Sequence, residues 1–176
     1  MAILITIMVL ELKVPHETNL AALLELWPVL LSYVLSFLYI GIYWNNHHHM
    51  FQLAPKVNGA VMWGNMHLMF WLSLLPFATA WTGENYAEML PTMVYGGVLL
   101  MCAVAYAILQ GLIIRLQGDT SGLAKAVGRD WKGKASPVLY LAGMGLAYVN
   151  PWLGIGMYAL VAGMWLVPDR RIARTV

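Results

Sequence analysis

The sequence predicts an all-α, polytopic membrane protein with six transmembrane helices per subunit. Three observations carry that expectation. Hydrophobic residues make up 61% of the 176 positions and charged residues only 10%, against about 45–50% and about 25% in an ordinary soluble domain. The mean hydropathy is +0.69. Apolar stretches follow one another along the chain, separated by short connectors that hold breakers and charges. A globule of this length cannot bury so much apolar surface, whereas a bilayer can. A soluble enzyme, a nucleic-acid-binding domain and a disordered chain are therefore excluded. The formal net charge of +2 is too small to point to a polyanionic partner. The single Cys102 leaves no disulfide framework and no Cys-based zinc or iron–sulfur site.

Six spans are expected, at about residues 1–14, 26–51, 57–81, 89–116, 137–149 and 152–167, forming one six-helix transmembrane domain over 1–176. A spanning helix needs roughly 20 apolar residues for a hydrocarbon core of about 30 Å. The first stretch falls short, since 14 residues of helix reach only about 21 Å. It lacks the charged n-region and small-residue cleavage site of a signal peptide. Either it is a half-span or a turn or more of helix belongs upstream of it, and the second is preferred. Within it Ile3, Thr6, Ile7 and Leu10 follow the i, i+3, i+4, i+7 spacing of one helix face. Two roles fit Thr6: a hydroxyl bonded back to a carbonyl one turn earlier, or a hydroxyl ring on a pore-facing apolar stripe.

Lysine and arginine set the orientation, because short loops rich in them stay in the cytoplasm. Lys56, then Arg115, Lys125, Arg129, Lys132 and Lys134, then Arg170, Arg171 and Arg174 fall on one side of a six-span chain. The other side holds Lys13 with Glu11, Glu17 and Glu25, then Glu84 and Glu88. Both termini are expected in the cytoplasm, with the chain crossing the cell membrane repeatedly. Trp27, Trp81, Trp131 and Trp152 sit near predicted span ends, where indoles anchor at the interface.

Polar groups within spans are costly, so they point to function. The second span ends Trp44-Asn45-Asn46-His47-His48-His49-Met50-Phe51, and the third contains Asn65 and His67. Three consecutive histidines point about 100° apart on a helix and cannot ligate one metal, which needs i, i+3 or i+4 spacing. Trp44 and His47 share a helix face. An inter-helix polar network of Trp44, His47 and Asn65 is the reading preferred, with no metal site. A small haem-binding or redox protein using His47 and His67 is an alternative, weakened by the lack of paired histidine sets. A secondary transporter is another, weakened by the lack of a carboxylate deep in a span. Pro76 is expected to kink the third span. Gly96-Gly97 and the later glycines allow close helix packing. Neither a P-loop, a GxSxG elbow, a paired-carboxylate site nor a TVGYG filter loop is present.

The run from Ala2 to Pro15 resembles the first helix of bacterial members of the transmembrane protein 175 family of potassium channels. Trp44-x-x-His47 followed by Phe51, then Asn65 and Leu75-Pro76-Phe77, are similar to the family's second and third helices. The resemblance implies a homotetramer of six-helix subunits in a lipid bilayer, with the first helix of each lining a central pore for K⁺. It implies that Ile3 forms the narrow isoleucine ring, Thr6 a hydroxyl ring, and Ile7 and Leu10 further apolar layers. It implies a leak-type channel, neither an enzyme nor a cofactor protein. The family's first helix opens with an arginine and a Phe-Ser-Asp motif that partners the second-span Trp and His, and this sequence lacks it. A late-assigned start or a trimmed chain is the expected reason. His49 stands where relatives often carry Arg or Lys, and protonated it can take that role.

Overall fold

The computed structural model describes residues 2–12, 14–15, 18–118, 121–128 and 130–166. Lys13, Glu17, Arg129, Arg170, Arg171 and Arg174, part of the orientation argument, lie outside the described residues, as does the end of the sixth span at Val167. Among the described residues every regular element is an α-helix.

The first helix, α1 (Ala2–Leu10), is shorter than the apolar run and gives way to a turn at Glu11. The connector expected over 15–25 contains a short helix, α2 (Leu20–Glu25). Its start is set by Asn19, whose Oδ1 accepts the Ala22 N–H at 2.8 Å, the N-cap arrangement that replaces a missing helical partner. The next helix, α3 (Trp27–Gln52), follows at once, with Pro28 in its first turn, where no N–H is needed.

The third predicted span is two helices, α4 (Gly59–Ser73) and α5 (Leu75–Glu84), separated at Leu74. The kink expected at Pro76 is thus a break two residues earlier. Pro76 has no N–H for the Leu72 carbonyl. The Leu74 N–H bonds to Trp71 O at 3.2 Å, the tighter i→i−3 closure of a helix end. Asn58 starts α4, its Oδ1 accepting the Val61 N–H at 3.0 Å.

The longest helix, α6 (Met89–Gln117), is followed by a single-turn helix, α7 (Gly122–Val127), capped by Ser121. The fifth span was expected over 137–149, but α8 covers Trp131–Val149. Asp130 explains the earlier start: its Oδ1 accepts the Gly133 N–H at 2.8 Å, so a helix forms through the charged residues Lys132 and Lys134. Asn150 then closes α8, accepts the Trp152 N–H at 2.9 Å, and hands the chain to α9 (Pro151–Leu166). Two of these helices, α3 and α6, are by themselves long and apolar enough to cross a membrane.

Helix α6 is the central post, packing against α4, α5, α8 and α9. The α8–α9 pair closes on itself and on α3, while α1 docks on α3 and α5. The centre is built from tyrosines. Tyr39 of α3, Tyr95 of α6, Tyr140 of α8 and Tyr158 of α9 are all buried. The rings of Tyr95 and Tyr140 lie 5.9 and 6.3 Å from that of Tyr158, in the range of favourable aromatic pairs. Three of the four hydroxyls are paired across helices. Tyr39 donates to the Tyr158 carbonyl at 2.5 Å, Tyr158 donates to Thr92 O at 3.3 Å, and Tyr95 shares a 2.8 Å bond with Ser36. Thr79 of α5 donates to the same Ser36 oxygen at 2.6 Å. A buried hydroxyl left unpaired would cost about 1–3 kcal/mol, so each pairing fixes a register between helices.

Tyr158 fits because two neighbours lack side chains. A Cβ on Gly143 would stand 2.6 Å from the Tyr158 ring, and one on Gly96 would run into its hydroxyl. Gly41, by contrast, faces open space. Gly96→Ala is therefore expected to cost about 1–3 kcal/mol through forced overpacking, while Gly41→Ala is neutral or slightly stabilising. Thermal unfolding of the detergent-solubilised protein separates them, and an equal loss in both variants would contradict the slot.

Candidate functional site

Helix α1 has two unlike faces. Met8 is 2% exposed and packs into the core, with Leu4 and Ile5 beside it. Ile3, Ile7 and Leu10 are 72%, 41% and 81% exposed, and Thr6 lies exposed among them. The i, i+3, i+4, i+7 stripe is thus the face of α1 turned away from the body of the chain. With the inner face fixed on α3 and α5, Ile3 and Leu10 are left largely uncovered by the chain and Ile7 partly so. The Thr6 hydroxyl donates to the Ile3 carbonyl at 2.8 Å. That is the back-bond of one of the two roles foreseen for Thr6. It leaves the oxygen lone pairs free on the exposed stripe.

The polar residues at the end of α3 divide by helix face. His47 reaches across to α4, its Nε2 2.7 Å from Asn65 Oδ1, and its ring lies 4.7 Å from that of Phe51. The amide oxygen only accepts, so the bond fixes the proton on Nε2. Trp44 is not brought to this pair. It is 57% exposed and stacks on His48, with ring centres 6.0 Å apart. The i+4 neighbour wins its ring over the i+3 neighbour, because i and i+4 lie more nearly one above the other on a helix. His49 turns to Gln52, with 3.3 Å between Nδ1 and Oε1. His67 Nε2 accepts the Trp71 indole N–H at 2.9 Å. The Nε2 atoms of His47 and His67 are therefore both engaged inside the chain. Among the described residues no group of three or more His, Cys, Asp or Glu side chains is placed to hold a metal ion.

The tyrosine centre is not legible in the sequence. Tyr39 and Tyr43 are spaced i, i+4 in α3, a signal of a shared face, but nothing in the sequence tells which distant tyrosines meet them.

A helical bundle with two membrane-length apolar helices and an apolar helix face turned outward fits the class of helical membrane proteins. The family model described as the endosomal/lysosomal potassium channel TMEM175 matches residues 1–76, which contain α1 to α4 and the start of α5. A potassium channel of Chryseobacterium sp. (strain P1-3) is 48% identical over 176 residues, covering 100% of this chain and 92% of that one. A potassium channel of Chamaesiphon minutus is 29% identical over 173 residues, covering 92% of this chain and 85% of its own length. The crystal structure of a lysosomal potassium-selective channel TMEM175 homolog from Chamaesiphon minutus superposes with a TM-score of 0.82 at 28% identity, over 94% of this chain and 90% of that one. The chain belongs to the TMEM175 family of potassium channels.

A double-mutant cycle measures the contact between α3 and α4. His47→Ala and Asn65→Ala are each expected to destabilise, with a coupling of about 0.6–1.7 kcal/mol, the range for hydrogen bonds between membrane helices. Trp44→Ala, at an exposed position, should change unfolding of the isolated subunit by less than about 0.5 kcal/mol. A coupling of zero would remove the His47–Asn65 bond from the fold.

Proposed function

We propose that the chain is one subunit of a homotetrameric, leak-type potassium channel whose central pore is lined by α1. Each subunit crosses the cell membrane six times, through α1, α3, the broken pair α4 and α5, α6, α8 and α9, as one domain over 1–176 with both termini in the cytoplasm. It conducts K⁺ passively, without a cofactor and without catalysis. The single observation that carries this reading is the exposed stripe of Ile3, Thr6, Ile7 and Leu10 on a helix whose other face is anchored by buried Met8.

Four copies of that stripe around an axis stack rings of isoleucine and leucine with one hydroxyl ring between. Apolar rings narrow a pore and gate it by dewetting. The Thr6 oxygen, its proton spent on Ile3 O, offers a lone pair to a cation that has shed water. Trp44 and the exposed Met62, Trp63, Met66 and Phe70 of α4 are apolar surface for neighbouring subunits or acyl chains. His47 and Asn65, joined at 2.7 Å, tie α3 to α4.

Flux of K⁺ and Na⁺ into liposomes tests the pore. Ile3→Asn and Thr6→Ala are expected to move the K⁺/Na⁺ flux ratio toward unity, and an unchanged ratio in both would overturn the assignment of α1. Ile7→Cys should be blocked by a membrane-impermeant methanethiosulfonate reagent, while Met8→Cys should be insensitive to it. Saturating flux coupled to a second ion would favour a transporter instead.

A further inference from the structure

Between α3, α6, α8, α9 and the turn after α7 lies a cavity of about 230 Å³. It has no part in the stripe or in the His47–Asn65 contact. Its walls are the rings of Tyr39, Tyr140 and Trp165. Two of these rings have their polar atoms already committed. Tyr39 donates to the Tyr158 carbonyl, and the Trp165 indole donates to Ser136 Oγ at 2.9 Å. These walls are rigid and apolar.

Other groups lining the cavity are uncommitted. Tyr43 is only 8% exposed, yet its hydroxyl has no hydrogen-bond partner among the described residues. Tyr106 and Gln110, both half-buried, line the same space, and among the described residues the polar group of neither side chain has a hydrogen-bond partner. Lys134 lines it too and is exposed, which marks the mouth. Two phenols and an amide in the cavity, with an ammonium at its mouth, are thus open to an acceptor from outside the chain. Asp130 is the anion facing the site, and its Oδ1 is spent on the Gly133 N–H at 2.8 Å.

Size and charge select the ligand class. A dry cavity of about 150 Å³ accepts benzene, so this one accommodates a single aromatic ring with a small substituent. A carboxylate only accepts, through about four lone-pair sites, and the free donors here are two phenols, an amide and an ammonium. We propose that this cavity binds a small aromatic monocarboxylate, its ring against the tyrosine and tryptophan walls and its carboxylate on the free donors near Lys134.

Ligand-observed NMR on the purified full-length chain tests this with benzoate and its neutral counterpart, benzyl alcohol. Benzoate is expected to receive saturation from the protein and to bind more tightly than benzyl alcohol. Lys134→Gln should weaken benzoate about fivefold, the loss of one exposed charge-assisted hydrogen bond, and leave benzyl alcohol unchanged. Ala103→Phe, which fills the cavity, should remove both ligands while the size-exclusion profile stays that of the parent. Ala107→Phe at the same cavity serves if that variant does not fold. Absence of transfer to benzoate, or transfer that survives the filling substitution in folded protein, would overturn the site. Equal affinity for the two probes would overturn the anionic ligand.

Discussion

The tyrosine hydroxyls at the centre of the bundle are what the other helix positions answer to. A buried hydroxyl that finds an acceptor within the protein avoids the cost of losing water without a replacement. Tyr39 finds the Tyr158 carbonyl, and Tyr158 finds Thr92, so α3 is tied to α9 and α9 to α6. Ser36 joins Tyr95 and Thr79, which ties α3 to α6 and α5. These bonds have direction, unlike apolar contacts, and therefore pick one register among several that would pack equally well. Gly96 and Gly143 are subordinate to them, since they only clear the space that Tyr158 occupies.

The placement of α1 follows from that centre. The helix has only 9 residues, too few to be stable alone in water, and it is apolar on every side. Its orientation is set by the groove that α3 and α5 offer to Met8. Once Met8 is seated, helical geometry sends Ile3, Thr6, Ile7 and Leu10 the other way. A mostly apolar stripe that the subunit does not cover belongs against lipid or against other subunits, and a proposed pore uses the second option. Residues 1–76, which begin with this helix, are the part that the TMEM175 model matches.

Histidine shows how context sorts one residue type into different duties. His47, His48 and His49 are consecutive, yet they meet Asn65, Trp44 and Gln52 respectively. The rotation of about 100° per residue separates them onto different faces. His67 meets Trp71 one turn along its own helix. That the three consecutive histidines face different ways followed from helical rotation alone. Which of them would reach another helix required the packing of α4 on α6, which sets where Asn65 points.

Much of the fold was legible from composition and punctuation. Apolar content gave a helical membrane protein, and the charged and proline-bearing connectors gave the order of its helices. The i, i+3, i+4, i+7 spacing gave the stripe, because side chains on one helix face are fixed by backbone geometry and need no knowledge of neighbours. The extra turns of α8 and the short helix α2 were hidden because their caps, Asp130 and Asn19, act through single hydrogen bonds that a hydropathy pattern does not register. The tyrosine centre, the separation of Trp44 from His47 and the cavity beside Lys134 were decided only in three dimensions. Each depends on which residues distant in the chain are brought together. Helices that are apolar all round offer almost no contrast between one face and another, so their sequence does not say which face turns inward.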